Sequence, residues 1–472
     1  MQGDPGPART RAEGRVSVPV TIGDRLELFV DTRLVDRMDA VSLRLHEPCP
    51  APLANSPLLI AYTTVIVDGG RYRAWYRSID PGYSGDRYDG NPGESTHYAE
   101  SLDGHEWDFP RNTAILRESP FSHNFAPFLD DRPGVPTDER FKALAGLHDR
   151  SIAEIRRHAP GLVAPDTVGG LYAFGSPDGF TWRRLCDQPV IRSHAAGGYG
   201  FDSQNVAFWS EAEGCYVCFL RTWETPHGEL RTISRSTSMD FESWTEPIPT
   251  NANLPGEHLY TSATRPYFRA PHIYLALPTR LVPDRGDSTD ILFMSMRAGE
   301  STYERPFTDA FIRPGMDPAR WGNRSNYVAH NVVPTGPTEL SIYHKSGHRY
   351  TLRTDGFVSV HAGVAPGELT TVPVVFDGNE LVVNASTSAA GSLAVEVQRA
   401  DGSPVDGFAL SDCRTVTGDG VEIAVRWAGD ADLSRLSGTP VRLRFVMREC
   451  DLYSYRFRNG TRSGSIPSTF RM

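Results

Sequence analysis

The stretch "FDSQNVAFWSEAEGCYVCFLRTWE", residues 201–224, places Asp202, Gln204 and Asn205 at one end of an apolar hairpin and returns to Arg221 at the other. The same kinds of residue recur at matching points elsewhere: His123 and Asn124; Glu257, His258, Tyr260 and Arg265; Asn326, His330 and Asn331; and Arg77 and Arg280, which end strands as Arg221 does. Carboxylates, amides, imidazoles and guanidinium groups gathered in one pocket suit a small polyhydroxylated ligand, because each hydroxyl taken out of water needs a partner. Asp202 and Glu257 form the candidate catalytic pair. Two carboxylates flanking a glycosidic bond divide the work, one protonating the leaving oxygen and the other acting as nucleophile or base. The competing readings are plainer: Asp202 caps a turn or pairs with Arg221, and Glu257, after Leu-Pro-Gly, is a solvated loop acid. Arg77, Arg221 and Arg280 either neutralise acids or, if unpaired, favour a carboxylate, phosphate or sulfate on the ligand. His123 and His258 read as hydrogen-bonding pocket residues, since no His-x-His or His-Glu-x-x-His spacing accompanies them, and no metal or cofactor is expected. Asp290 and Glu100 read as structural acids.

The elements that must position these residues come from an internal repeat. "SLDGHEW" (101–107), "SPDGFTW" (176–182) and "STSMDFESW" (236–244) are close copies, "LFMSMRAGESTYERPF" (292–307) is a worn fourth, and "LRTDGFVSV" (352–360) a fifth. Measured at Asp103, Asp178, Asp240, Ala298 and Asp355, the spacings are 75, 62, 58 and 57 residues, which suit one four-stranded blade each. Asp-Gly closes a tight turn because both residues tolerate positive φ. Those turn acids belong to the architecture and are excluded from the site.

Two β-rich runs precede each copy, so the expected fold class is all-β: a five-bladed β-propeller followed by a C-terminal β-sandwich. The domains expected are a disordered lead-in at 1–22, the propeller at 23–365, the sandwich at 366–459 and a flexible tail at 460–472. "RLELFVDTRLVDRM" (25–38) is expected to pair with the last blade and close the ring, removing exposed edges. In such a blade the start of the first strand and the end of the second share one face, which explains the polar ends of the hairpin. The loop "IDPGYSGDRYDGNPGEST" opens on that face and is long enough to act as a lid.

A chain of 472 residues with net charge -10 has no basic excess to neutralise phosphates, so neither nucleic acid nor an anionic membrane is expected as a partner. The expected partner is a small-molecule or oligosaccharide substrate. "MQGDPGPARTRAEGR" lacks the apolar region of a secretory signal, and a cytoplasmic location is expected. The 6 cysteines read as reduced thiols. Cys215 and Cys218 have metal-like spacing, but residues three apart on a strand point to opposite faces, which favours two packed thiols.

"LFVDTRLVDRM", "YAESLDGHEW", "FDSQNVAFW" and "HLYTSATRPYFRAPHIYLALPTR" together resemble a large group of bacterial glycoside-hydrolase-like proteins, similar in fold to glycoside hydrolase families 32, 43 and 68. The resemblance runs from about residue 25 to 458 and includes "RTDGFVSVHAG". It implies a five-bladed propeller with a C-terminal sandwich, and a glycoside hydrolase or transglycosidase activity. The chain departs from the pattern in its first blade, where "ANSPLLIAYTTVIVDGG" has no acid before Asp68, and Ser56 and Pro57 stand where relatives carry an acidic turn. That departure keeps open an alternative: a glycosidase-like propeller recruited to a non-hydrolytic biosynthetic reaction or to binding of a polar or anionic small molecule.

Overall fold

The computed structural model describes residues 18–110, 114–193 and 200–460. The lead-in up to residue 17 and the tail from 461 lie outside the described residues. Strand accounts for 45% and helix for 7%, so the chain is nearly all-β, and among the described residues no sheet closes on itself. No helix among them is long and apolar enough to cross a membrane. The chain divides into two units, residues 47–354 and residues 1–46 with 355–472.

Residues 47–354 form a series of small antiparallel sheets. The first is Thr64–Asp68, Arg71–Ile79 and Glu94–Ser101; the second is built on Ala126–Leu129, Phe141–Ala145 and Gly170–Ser176. The third is Val206–Ser210, Cys215–Thr225, Gly228–Ser238 and Ile248–Pro249. Thr264–Tyr267, Ala270–Ala276 and Met294–Arg297 make the fourth, while the chain beyond Ala276 turns into a further small sheet of His258–Leu259, Thr279–Val282 and Ser288–Ile291. The last is Val333–Pro334, Glu339–Tyr343 and Arg349–Arg353, edged by Cys49–Pro50.

The repeated turn has one hydrogen-bond plan. In the copies at Asp103, Asp178 and Asp240, the serine two residues earlier donates to the aspartate Oδ1, which also accepts the N–H groups two and three residues later. The residue after the aspartate is left-handed: Gly104 and Gly179 at φ 74° and 78°, and Phe241 at 72°. Phe241 accepts that strain because its ring is buried against Phe128, Tyr216 and Trp244. Each turn leans on a neighbouring sheet: the Gly179 carbonyl accepts from the Trp75 indole at 2.8 Å, and the Gly104 carbonyl from the Tyr343 hydroxyl at 2.8 Å. Cys215 and Cys218 both lie buried in Cys215–Thr225 but join different apolar clusters, on opposite faces of the strand.

The other unit is a ten-stranded sheet dominated by Glu380–Arg399 and Val441–Arg458, which pair along most of their length. Alternate residues Val441, Leu443, Phe445 and Met447 are buried, the period-2 pattern of a strand with one packed face. Here the structure corrects two expectations. Residues 25–38 do not pair with the last repeat: Glu27–Leu28 pairs with Ser454 and Tyr455, and Val35–Asp39 with Gly367–Thr371. The outer strand of the last small sheet is instead Cys49–Pro50, and Val358–Ala362, expected there, pairs with Val41–Leu45. The apolar residues Phe29 and Leu34 find their partners in the long-stranded core, which decides the matter. Val20–Gly23, counted with the lead-in on sequence grounds, is likewise a strand, parallel to Val374–Phe376. The two compact units divide at residues 46/47 and 354/355.

Candidate active site

Three tyrosines stand two to six residues ahead of the first strands of small sheets: Tyr62 before Thr64–Asp68, Tyr260 before Thr264–Tyr267 and Tyr327 before Val333–Pro334. They line one cavity of about 300 Å³, with Arg77, Arg324 and Lys345 on its wall. The backbone is bent to present them. Tyr62 itself has φ 48°, Asn323 and Arg324 have 47° and 50°, and Phe201, next to Asp202, has 68°. Left-handed conformations cost a residue with a Cβ about 1 kcal/mol or more and persist where the surroundings over-determine them, commonly at functional sites.

Amide side chains hold these bends. Gln204 donates to the Tyr62 carbonyl at 3.1 Å and to the Thr64 hydroxyl at 2.9 Å. Asn124 donates to the carbonyls of Gly146 and Phe201, both at 2.6 Å, and accepts from the Gly146 N–H. Asn205 donates to the Ser203 carbonyl and accepts from the Arg221 N–H at 3.1 Å. Asn124 and Asn205 are spent on backbone groups, and Gln204 on one backbone carbonyl and the Thr64 hydroxyl, so they position Tyr62, Asp202 and Arg221.

Arg221 is the central charge. Its side chain is 2% exposed, its Nη2 lies 2.8 Å from Asp202 Oδ1, and its guanidinium carbon sits 4.3 Å over the Tyr260 ring. None of its three guanidinium nitrogens has an aligned hydrogen bond, so Asp202 serves it as a counter-charge only. Arg77 lies 4.5 Å over the Tyr62 ring and donates to His123. His123 Nδ1 meets Glu94 Oε2 at 2.9 Å, and the tautomer that satisfies both neighbours has Nδ1–H donating to Glu94 and Nε2 accepting from Arg77 at 3.2 Å. Burial pushes the Glu94 carboxyl up, but His123, Arg77 and the Gly90 N–H outweigh it and hold it below its ordinary value. Asp89 stands 3.7 Å from His123 Nε2.

The tyrosines differ in acidity. Burial raises Tyr62 and Tyr327 well above the ordinary phenol value. For Tyr260 burial works in the same direction, yet the Arg221 cation and the hydrogen-bonding contacts of Tyr62 and Arg324 prevail, and its phenol is lowered. His258 is lowered by burial and by Arg231 and Arg221; its Nδ1 accepts the Arg231 N–H at 3.1 Å.

Arg77 and His123 thus meet beside Tyr62, and Asp202, Arg221 and Tyr260 meet one another. Glu257 and Arg280 do not join the cavity. Glu257 receives a bidentate pair from Arg305, at 2.7 and 3.2 Å, and the Leu254 N–H at 3.1 Å. Arg280 binds Asp290 bidentately at 2.9 and 2.6 Å, and both residues border a separate recess of about 990 Å³. Arg265 is buried on a third recess beside Asp131, where burial holds the pKa of its guanidinium below the ordinary value. Asn326 and His330 serve the framework, His330 with Nε2 3.1 Å from the Thr264 carbonyl and its imidazole pushed down to about 3 by burial. The loop 79–96 rests on the helix Asp149–His158, where Tyr88 stacks on His158 at 5.0 Å. Among the described residues no cluster of His, Cys, Asp and Glu could hold a metal.

Tyr62, Tyr327, Arg324, Lys345 and Arg305 were not singled out in the sequence. A signal existed for the tyrosines: Tyr62-Thr63, Tyr260-Thr261 and Tyr327-Val328 each place a tyrosine before a β-branched residue near the start of a repeat.

No family model and no curated protein matches the chain. Among solved structures it is similar to a "Glycoside hydrolase" at 13% identity and TM-score 0.43, over 67% of this chain and 91% of that one. It is also similar to a glycoside hydrolase family 43 arabinoxylan arabinofuranohydrolase from Bacillus subtilis, at 12% identity and TM-score 0.37, over 85% and 96% of the two chains. A β-1,2-mannobiose phosphorylase from Listeria innocua is similar at 10% identity and TM-score 0.44, over 66% and 97%. The likeness is one of fold.

Proposed function

We propose that the chain is a carbohydrate-active enzyme whose residues 47–354 form a five-bladed propeller, with the long-stranded unit as a β-sandwich module, and whose tyrosine-lined cavity takes a polyhydroxylated ligand bearing an anionic group. Cyclic order among the small sheets supports the propeller: the Gly104 turn of the first leans on Tyr343 of the last, and Thr64 bridges to His330 in parallel. The observation that carries the ligand class is a charge imbalance. Among the described residues, the cavity lining includes Arg77, Arg324 and Lys345 and no carboxylate, while Asp202 pairs with Arg221 against Tyr260 and Asp287 stands 3.7 Å from Arg324. Burial, Arg77 and Arg324 all lower the Lys345 ammonium, the mark of cations crowded without enough counter-charge. An anionic ligand supplies it, and guanidinium forks suit carboxylate, phosphate or sulfate.

Paired-acid hydrolysis by Asp202 and Glu257 draws no support from this geometry, because Glu257 is spent on Arg305 and borders another recess. The recruited, non-hydrolytic alternative is the better match. The test is a thermal-shift and turnover screen of uronic acids, sugar phosphates and neutral sugars on wild type beside Arg324→Gln. Stabilisation by acidic sugars alone, reduced in the variant, is the expected result; equal stabilisation by neutral sugars overturns the ligand class.

A further inference from the structure

Resting on that reading, we infer that Tyr260 is the proton-transferring residue of the cavity and that the reaction it serves is β-elimination from a uronic-acid-containing saccharide. Hydrolysis of a glycosidic bond needs two carboxylic groups in complementary roles. Elimination needs one base and a way to neutralise the substrate's own carboxylate, which makes the hydrogen on the adjacent carbon acidic. The cavity holds that combination. Arg77, Arg324 and Lys345 stand on its wall as carboxylate partners, and its volume of about 300 Å³ is that of a small sugar site.

Tyr260 is the residue built for the proton. The titratable and charged groups that act on its hydroxyl are Tyr62, Asp202, Arg221, Arg231, Arg324, Tyr327 and Lys345. Arg221 lies over its ring at 4.3 Å and Arg231 at 5.6 Å, so two cations stand beside the phenol and favour its ionised form. Its backbone is pinned at both ends, the N–H donating to the Thr279 carbonyl at 2.6 Å and the carbonyl accepting from Ser203 at 2.8 Å. Tyr62 cannot take the same part: its hydroxyl donates to the Asp202 carbonyl at 3.1 Å, and burial disfavours its ionised form.

In the step, the Tyr260 phenolate oxygen takes the proton from the carbon that bears the carboxylate. The C–H electron pair becomes a carbon–carbon double bond as the bond from the neighbouring carbon to the glycosidic oxygen breaks, leaving its pair on oxygen. Tyr260 returns the proton to that oxygen. One glycosidic C–O bond is cleaved, no water is consumed, and the products are a saccharide hydroxyl and an unsaturated uronate.

The experiment incubates the full chain with oligogalacturonate and glucuronate-containing oligosaccharides, beside the same sugars with their carboxyl groups reduced, and follows both ultraviolet absorbance of the conjugated product and reducing ends. Absorbing product from the acidic sugars alone, with kcat reduced by about a hundredfold or more in Tyr260→Phe while the ligand-induced melting shift is kept, is the expected result. Reducing ends without absorbance, or binding without turnover, overturns the elimination and leaves the anionic-sugar reading standing. Failure of every acidic sugar to bind overturns that reading itself. Should Tyr260→Phe not fold, the wild-type pH profile decides: kcat/KM rising through an ionisation below the ordinary phenol range supports Tyr260, and a flat profile overturns it.

Discussion

Around Glu257, charges meet in pairs with fork geometry: Arg305 holds Glu257 and Arg280 holds Asp290, each through two hydrogen bonds. Around Tyr260 cations line a cavity whose lining holds no carboxylate among the described residues, with Arg221 buried and unaligned, the Lys345 ammonium lowered by burial, Arg77 and Arg324, and aromatic faces standing in for counter-ions. Both places hold arginines and acids at the ends of strands, so residue type alone does not separate them. Matched charges stabilise the fold, whereas unmatched ones are tolerated where a ligand completes them.

The largest expected effect breaks the matched recess. Arg305→Met strips Glu257 of its bidentate partner and leaves it Arg280 at 4.0 Å and the Leu254 N–H, and urea unfolding should show a loss of about 3 kcal/mol with affinity for acidic sugars unchanged. Asn124→Ala tests the scaffold of the unmatched cavity: it strands the buried Gly146 and Phe201 groups, and should cost about 2 kcal/mol of stability together with a drop in turnover as Phe201 and Asp202 shift. Arg324→Gln sharpens the contrast from the other side. It should weaken an acidic ligand by about tenfold, read by calorimetry, with stability nearly unchanged.

The smallest effect belongs to the repeated turns. Burial pushes the Asp178 carboxyl up, but the Thr181 and Phe180 N–H groups prevail and lower it. Its contribution is therefore complete above the unfolded carboxyl value near about 4, and is lost as pH falls through the lower folded value. Asp178→Asn should cost less than about 1 kcal/mol at neutral pH, and denaturant titrations of wild type and variant should converge in acid.

The repeat made the small sheets legible, because Ser-x-Asp turns and period-2 runs are local patterns. The assignment of 25–38 was not legible, since Phe29 and Leu34 are satisfied by strands more than three hundred residues away and nothing local distinguishes one apolar partner from another. In the site, Arg77, His123, Asp202, Arg221 and Tyr260 were readable from their places at strand ends. Glu257 was placed by the same rule and separated by Arg305, a cation from the worn fourth repeat whose reach no spacing reveals. Tyr62 and Tyr327 escaped notice because a tyrosine ahead of a strand reads as core, and only convergence in space turns three of them into one surface.

The pairing of residues 27–39 with 367–371 and 454–455 sets an order of assembly. The chain's first strands leave the ribosome long before their partners, and all of residues 47–354 are made in between. The small-sheet unit can mature on its own nascent chain, while the long-stranded unit waits for Val441–Arg458 to close loops that span nearly the whole polypeptide. Such closures are slow, so a stop or truncation before Val441 would remove the strand that Glu27–Leu28, Gly367–Thr371 and Glu380–Arg399 all pair with, and release a chain whose apolar strands are left open and prone to aggregate.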